Sequence, residues 1–357
     1  MEKDRQVELR RILFLFLIAA VIISAPSCGA SGTGPSMWGF ALDGYPITRE
    51  KLKDIEGATG LASDMIVFFL QWPSVEDPSD REFPRESLEA ITAAGALPCI
   101  TWEPMYIRDG KEVAISYKDI LDGRYDDYIT WFAEQARSWK KPLLIRFAHE
   151  MNLKRYHWGT AEDEYGPESP AVYRKIYRHV VEIFRKCGAG NILWVFCPNA
   201  ESVPNETHYA SASWNVLSAY YPGDSYIDIL GIDGYNWGTT RKKGIHGWES
   251  RWKSFREIFE APVRELRAVS PAARSKPLVV FETATVSTGG DKNEWIRDAL
   301  SAAGKLGIDG IVWFQFHKEV DWRIESGSDG SHVPAVKGGY TRGDGRLKEI
   351  LEGRDRR

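Results

Sequence analysis

Two glutamates in this chain each follow a short apolar run. Glu150 comes after the run Leu143–Ala148 and His149, and Glu282 comes directly after Leu278–Phe281. An ionised carboxylate at the end of a buried strand carries a desolvation cost that its partners must offset. Two such groups facing each other, one protonated and one ionised, are what hydrolysis of a glycosidic bond requires. We therefore predict Glu150 as the general acid/base and Glu282 as the nucleophile.

Alternating strands and helices are predicted to position these two groups. Short runs rich in Val, Ile, Leu and Phe predict eight strands, at Trp38–Leu42, Met65–Leu70, Leu97–Trp102, Leu143–Ala148, Ile192–Cys197, Ile227–Ile232, Leu278–Phe281 and Ile308–Phe314. Amphipathic stretches predict helices between them, among others at Tyr125–Trp139, Val172–Lys186, Trp252–Val269 and Asn293–Leu306. Eight such units favour a closed (β/α)8 barrel, a TIM barrel, over an open sheet.

In a barrel of this kind the reactive side chains gather where the strands end at their carboxyl termini. Polar and aromatic residues follow seven of the predicted strands, at Gln71-Trp72, Trp102-Glu103, His149-Glu150, Asn199, Asp233-Gly234-Tyr235, Glu282 and Trp313–Gln315. On the fourth strand, the two-residue period places Arg146 on the same face as Glu150. We expect Arg146 and Tyr235 to hold the carboxylate of Glu282 ionised.

The aromatic content suggests what the barrel mouth binds. Trp, Tyr and Phe make up 12% of the chain, and many of its 14 tryptophans stand beside polar residues or glycine. Flat aromatic rings stack on the apolar faces of sugars, while their N–H and O–H groups bond hydroxyls. We predict substrate contacts at His149, Tyr235, Trp313, Trp102, Glu103, Trp158, Arg146 and Asp233. Three of these keep a second interpretation, since His149 could be a core histidine, Glu103 could pair with Arg108, and Trp158 could pack a lid.

The first 36 residues are predicted to direct export. A charged start is followed by the apolar run Ile12–Ile23 and then by small residues around Cys28. This pattern is typical of a secretory signal, and the run is short for a membrane span, although an uncleaved anchor is the alternative. Cys28 resembles the lipidated cysteine of a lipoprotein box, which leaves a lipid anchor open. We expect residues 37–357 to form one catalytic domain that is periplasmic, displayed on the cell surface or extracellular.

Composition excludes several other classes of protein. The formal net charge of −4 with mixed signs offers no basic face for a nucleic acid. Cys99, Cys187 and Cys197 remain after the signal, and an odd number of cysteines is no disulfide framework. No second His or Cys lies at ligand spacing from His149, so we predict no metal and no cofactor. We expect a monomer.

One block of residues resembles a known family. Arg146, the block His149-Glu150-Met151-Asn152 and the pair Trp158-Gly159 are similar to the acid/base signature of glycoside hydrolase family 26. Other segments resemble that family in the same order, namely Ile229–Tyr235 on the sixth strand, Phe281-Glu282 at the nucleophile and Trp313 on the eighth strand. The family contains β-mannanases, with some lichenases and β-1,3-xylanases. The resemblance implies the barrel, a retaining mechanism, and a polysaccharide or oligosaccharide substrate.

The chain departs from the mannanase pattern where a polymer would bind. Phe147-Ala148 stand between Arg146 and His149, where mannanases usually have Arg-Pro, and Trp102-Glu103-Pro104 replaces a substrate-binding histidine. Phe314 follows Trp313 where Arg is common. These changes leave the sugar open between β-mannan and β-glucan. Two alternative functions also remain: a hydrolase that trims the cell's own exopolysaccharide, and a non-catalytic carbohydrate-binding barrel, which would lack one of the two carboxylates.

Overall fold

The structure is a computed structural model that describes residues 34–156, 158, 166–207, 209–325 and 336. Most of the predicted export segment, with Cys28, lies outside the described residues, and so does Gly159. Among the residues described, no helix is both long enough and apolar enough to cross a membrane.

Eight parallel strands close into a barrel, which confirms the predicted fold. The barrel strands are β1 (Met37–Leu42), β2 (Met65–Gln71), β3 (Leu97–Glu103), β6 (Leu143–Phe147), β7 (Ile192–Phe196), β8 (Ile229–Asn236), β9 (Leu278–Thr285) and β10 (Gly310–Gln315). Each strand pairs with its neighbour along the chain, and β10 returns to pair with β1. An antiparallel hairpin of β4 (Met105–Arg108) and β5 (Lys111–Ala114) follows β3, and the sequence analysis did not predict it.

Helices lie between the strands and cover the barrel. They are α1 (Arg49–Thr59), α2 (Arg85–Ala93), α3 (Tyr117–Leu121), α4 (Asp126–Trp139), α5 (Ser169–Lys186), α6 (Lys243–His246), α7 (Phe255–Ala268) and α8 (Lys292–Lys305). Polar side chains fix several of their starts. At α7, Ser254 accepts a hydrogen bond from the backbone of Glu257, whose carboxylate accepts one from the backbone of Ser254. Such a capping box stabilises a helix start by about 1 kcal/mol.

The barrel backbone departs from regular strand geometry next to each predicted catalytic residue. After β6, Ala148 and Glu150 adopt φ values of 47° and 50°, in the left-handed region that side chains disfavour. In β9 the register slips by one residue against both neighbours, which makes Phe281 an extra residue between Val280 and Glu282. A bulge of this kind re-aims the side chains beside it.

Candidate active site

A cleft of about 800 Å³ opens where the barrel strands end at their carboxyl termini. Glu103, Glu150 and Glu282 reach it from β3, from the segment after β6, and from β9. Tyr235 at the end of β8 and Asn199 after β7 complete the centre of the lining. The structure therefore brings the two predicted catalytic glutamates into one cleft.

The carboxylate of Glu282 is held from two sides. Arg146 donates a hydrogen bond to its Oε1, and the hydroxyl of Tyr235 donates one of 2.5 Å to its Oε2. Burial, followed by the charge of Glu282, keeps the pKa of Tyr235 well above its usual value, so the phenol keeps its proton and acts as a donor. Glu282 is only 4% exposed. Both of its oxygens are thus held in place by hydrogen-bond donors.

Arg146 lies beneath the cleft floor and does not line it. Besides Glu282, its guanidinium donates to Asp233 Oδ2 at 2.6 Å and to the hydroxyl of Thr101 at 2.7 and 3.0 Å. Burial alone would lower its pKa, but the charges of Asp233 and Glu282 outweigh burial and raise it. One fully buried cation thus bridges two carboxylates. Asp233, predicted as a substrate contact, is 0% exposed and serves as a partner of Arg146.

Glu150, unlike Glu282, has no cation bound to its carboxyl group among the described residues. Its Oε1 accepts a hydrogen bond of 2.5 Å from the side-chain amide of Asn199, and its backbone N–H donates to Cys197 O at 2.8 Å. Burial, with a second contribution from the charge of Glu282, raises the pKa of Glu150 to about 7. A glutamic acid with that pKa keeps its proton near neutral pH and can still release it, as a general acid must.

Glu103 is a third buried carboxyl group in the cleft. Its Oε2 accepts a hydrogen bond of 2.5 Å from Gln71, its register partner on β2, and burial raises its pKa to about 7. The predicted alternative, a pair with Arg108, does not form, because Arg108 bonds Glu76 at 3.0 Å. Glu103 is therefore placed to meet a sugar hydroxyl, and that role stays a prediction.

Two predicted tryptophan contacts point away from the cleft. Trp102 alternates with inward-facing residues of β3, is 0% exposed, and packs between the barrel and the helices against Phe132 and Phe184. Trp313 of β10 is 1% exposed and stacks on Trp38, with its ring centroid 6.2 Å away. Both placements correct the sequence-based prediction. The two-residue strand period predicts which residues share a face of the strand. It does not predict which of the two faces points into the barrel and which points toward the helices.

His149 and Trp158 support the site from below. Trp158 is 2% exposed and donates its indole N–H to His149 O at 2.7 Å, which favours packing over direct sugar contact. His149 is 1% exposed, and among the described residues neither of its ring nitrogens has a hydrogen-bond partner. Burial, then the charge of Arg146, lowers its pKa well below the usual value. The predicted contact between His149 and sugar stays a prediction.

Three potential metal ligands lie close together at the same place. One ligand atom each from His149, Asp233 and Glu282 lie within 4.8 Å of one another. Arg146 already binds both carboxylates, and its positive charge opposes a second cation between them. These residues therefore suit a buried ion-pair network better than a metal ion, and the absence of a metal role remains a prediction.

Several residues of the lining were not predicted. The β4–β5 hairpin forms part of the cleft wall, and its Glu112 makes a bidentate ion pair with Arg155, at 2.6 and 2.8 Å, in the segment that follows Glu150. Tyr156, next in the chain, also hydrogen-bonds Glu150. Only the position of Arg155 and Tyr156 shortly after Glu150 could have pointed to them. Besides Tyr156 and Tyr235, the aromatic residues that line the cleft are Tyr45, Phe68, Phe69, Trp237, Trp248, Phe314, Phe316 and Trp322.

Acidic groups predominate in the described lining of the cleft. Seven carboxyl groups line it, from Asp43, Glu103, Glu112, Glu150, Glu201, Glu282 and Glu319. Two cationic side chains accompany them, Arg155 and Lys318. A cleft with this balance repels a polyanion and admits a neutral chain.

Barrel and cleft together define a (β/α)8 protein with several carboxyl groups at the strand ends where such barrels carry out chemistry. A sequence model described as "Glycosyl hydrolase family 26" matches residues 104–249, a stretch that includes Glu150 and Tyr235. Residues 104–249 thus belong to glycosyl hydrolase family 26, as the sequence resemblance indicated.

Individual relatives agree with the family. Endoglucanase H of Acetivibrio thermocellus is 31% identical over 322 residues, which cover 89% of this chain and 32% of that protein. A mannan endo-1,4-beta-mannosidase of Bacillus subtilis is 28% identical over 166 residues, covering 42% of this chain and 43% of that enzyme. The chain thus spans less than half the length of both relatives. The solved Bacillus subtilis mannanase BCman has a TM-score of 0.60 at 17% identity over 87% of each chain, which shows the fold alone.

Proposed function

We propose that this protein is a retaining β-glycoside hydrolase that cleaves a neutral β-linked polysaccharide of the glucan or mannan type. One observation carries the proposal: the cleft holds two carboxyl groups in opposite environments. Glu150 has a pKa raised to about 7, whereas Glu282 accepts hydrogen bonds from Arg146 and Tyr235. An acid that keeps its proton beside a fixed carboxylate is the pair that double displacement needs.

The reaction proceeds in two steps. Glu150 gives its proton to the glycosidic oxygen as the C–O bond breaks, and Glu282 Oε forms a covalent bond to the anomeric carbon. The first sugar fragment leaves with the transferred proton. Glu150, now ionised, then takes a proton from water, whose oxygen attacks the same carbon and releases Glu282. Asn199 keeps Glu150 in place through both steps, because its amide donates to either form of the carboxyl group.

The substrate class rests on the relatives and on the charge of the cleft. The two relatives are named as an endoglucanase and a mannan endo-1,4-beta-mannosidase, and both glucan and mannan are uncharged polymers. Seven carboxyl groups against two cations in the described lining disfavour a polymer of uronic acids. The alternative function, trimming of the cell's own exopolysaccharide, is therefore compatible with this cleft only if that exopolysaccharide is uncharged. A purely binding barrel has no use for an acid with a raised pKa next to a fixed carboxylate.

Product analysis tests the proposal. The protein is incubated with mixed-linkage β-glucan, β-mannan, β-1,3-xylan and an anionic exopolysaccharide, beside Glu150→Ala, Glu282→Ala and the exposed cleft control Glu319→Ala. We expect cleavage of a neutral polymer, at least ~10²-fold loss in the first two variants, and little change in the control. With an activated aryl β-glycoside, azide should rescue Glu282→Ala and give the inverted glycosyl azide. Full activity of Glu282→Ala, or cleavage of the anionic polymer alone, would refute the assignment.

We also propose that residues 1–36 export the protein and that Cys28 carries a lipid. The support is the order of a charged start, an apolar run and small residues in the sequence. Fractionation of cells that produce the full chain tests export, and labelling with a radioactive fatty acid tests lipidation against Cys28→Ser. Unlabelled wild-type protein in the extracellular medium would leave export standing and rule out the anchor. Size-exclusion chromatography of residues 37–357 tests the predicted monomer.

A further inference from the structure

Exposed apolar side chains concentrate at the rim of the cleft. In the described part of the chain, seven large apolar residues are exposed, and three of them line the cleft: Ile107, Val203 and Trp248. Trp248 has the largest side chain of the three and is 45% exposed. Scattered exposed apolar residues need no explanation, but a cluster along one groove marks a binding surface.

A series of aromatic rings connects Trp248 with the centre of the site. Tyr235, which donates to Glu282, has its ring centroid 6.3 Å from that of Trp237. Trp237 in turn lies 5.5 Å from Trp248, with the two planes at 85°. Trp248 is thus two ring contacts from the residue that bonds the nucleophile, so a sugar that reaches it is not the sugar whose bond is broken.

Trp237 is largely covered by its neighbours, whereas Trp248 is open. The guanidinium of Arg241 lies 4.4 Å from the ring centroid of Trp237, over its face, and Trp322 packs against the same ring at 4.8 Å. The ring of Trp248 contacts that of Trp237. Among the described residues, no cation and no second aromatic ring packs on Trp248 as Arg241 and Trp322 do on Trp237. The open indole is therefore the surface available to a ligand in this wall of the cleft.

The loop that carries Trp248 is closed on itself. The backbone N–H of Arg241 donates to the hydroxyl of Ser250 at 3.0 Å, and the backbone N–H of Ser250 donates to Arg241 O at 3.2 Å. Within the loop, Gly247 turns the chain at a φ of 77°, a conformation that side chains rarely adopt, and its N–H donates to Lys243 O. A loop fixed in this way presents its aromatic side chain without a large ordering cost on binding.

We propose that Trp248 forms a sugar-binding position at the cleft rim, remote from the scissile bond, that stacks on one ring of a neutral β-linked chain. The inference rests on the proposed function, and it adds that the protein distinguishes long chains from short ones. Indole faces bind the apolar C–H faces of sugars, and binding energy from a remote unit raises the rate only on substrates long enough to reach it. The loop meets the cleft on the side of β8, across the mouth from the β4–β5 hairpin that follows β3.

Kinetics on long and short substrates provide the first test. Trp248→Ala should lower kcat/KM on mixed-linkage β-glucan or β-mannan by about tenfold and leave the value on an aryl β-disaccharide unchanged. Trp248→Phe should restore most of the loss, because a phenyl ring can still stack. Ile245→Ala is the matched control, since Ile245 is 75% exposed in the same loop but does not line the cleft. An equal loss on both substrates, or an equal loss in the control, would overturn the proposal.

Direct binding separates this inference from the proposed hydrolysis. The full chain with Glu150→Gln is titrated by calorimetry with a hexasaccharide and with a disaccharide of β-glucan and of β-mannan. We expect Trp248→Ala in this background to weaken binding of a hexasaccharide about tenfold and of the disaccharide not at all. Unchanged hexasaccharide affinity overturns the remote position alone. Failure of both hexasaccharides to bind the parent protein overturns the remote position together with the proposed substrate class. Binding without turnover in the wild type refutes only the hydrolysis.

Discussion

Replacing Glu150 with Gln should stabilise the folded protein at alkaline pH while it removes the catalytic acid. Burial, with the charge of Glu282, raises the pKa of Glu150 from 4.5 to about 7, so the folded state binds this proton more tightly than the unfolded chain does. Below about pH 4.5 the carboxyl group is protonated in both the folded and the unfolded state, and it does not lower the free energy of unfolding. As the pH rises through 7, stability is lost until both states are ionised and the full cost is present.

The magnitude follows from the two pKa values. A rise from 4.5 to about 7 corresponds to about 3 kcal/mol of unfolding free energy above pH 7. Roughly 2 to 3 kcal/mol of that cost develops between pH 5 and pH 8. Gln has nearly the same shape, its amide oxygen can still accept from Asn199, and it carries no charge at either pH. The unfolding free energy of Glu150→Gln, relative to the wild type, should therefore rise by that amount over the same interval.

Urea denaturation at pH 5 and pH 8 measures the effect. Wild type, Glu150→Gln and the exposed control Glu319→Gln are compared, and the other buried acids whose pKa burial raises, Glu103 and Asp233, are present in all three. The unfolding free energy of the control should differ from that of the wild type by the same amount at both pH values. In activity assays, Glu150→Gln should lose at least ~10²-fold in kcat/KM. A pH-independent difference between Glu150→Gln and wild type would refute the reasoning, because it would mean that Glu150 does not titrate abnormally in the folded protein.

Three further substitutions test the surroundings of the catalytic pair. Tyr235→Phe removes one of the donors to Glu282 and should lower kcat by roughly 10- to 100-fold with an unchanged fold by circular dichroism; an unchanged kcat would contradict the role of the phenol. Arg146→Met leaves two buried carboxylates without their cation and should cost about 3–5 kcal/mol in urea denaturation, so wild-type stability would speak against the bridge. Glu112→Gln breaks a partly exposed ion pair with Arg155, so it should lower the unfolding free energy by less than about 1 kcal/mol but raise KM on polymer several-fold. A larger loss of stability with unchanged KM would show that the ion pair supports the fold and not substrate binding.

The sequence predicted the barrel well because its signal is repeated. Eight apolar runs separated by amphipathic stretches agree with one another, and an error of one or two residues at a boundary does not change the count. The observed β8 and β9 extend to Asn236 and Thr285, beyond their predicted ends. Their additional residues are mostly polar or small and pair mainly with each other, so no apolar pattern marks them. Glu282 is consequently inside a strand and not at its end.

Local features of the cleft were harder to predict. The alternation along β3 groups Thr101 with Glu103 and separates them from Trp102, but it does not reveal which group faces the mouth. A tryptophan next to an acid therefore suggested a sugar contact, and the structure buries it beneath the helices. The β4–β5 hairpin is short, and its exposed residues carry no strong period. Its place in the cleft wall depends on the long-range pair of Glu112 with Arg155, which no local pattern encodes.

The two glutamates reach one cleft by a route that differs in part from the one the sequence suggested. The two-residue strand period suggested that Glu150 lies above Arg146, yet β6 ends at Phe147 and Glu150 reaches the cleft through the left-handed backbone of Ala148 and of Glu150 itself. Backbone strain of this kind persists only where surrounding contacts enforce it. The hydrogen bonds from Ala148 N to Trp102 O and from Glu150 N to Cys197 O fix this segment between two neighbouring strands.

Glu282 depends on an irregularity of the same kind. The extra residue Phe281 in β9 changes the alternation of that strand, and Glu282 then meets both Arg146 and Tyr235. Each carboxyl group is thus aimed by a departure from regular geometry and buried by the regular barrel around it. Burial raises the pKa of Glu150, whereas Arg146 and Tyr235 donate hydrogen bonds to the two oxygens of Glu282. The chemical difference between two identical side chains therefore arises from the two places where the strands are irregular.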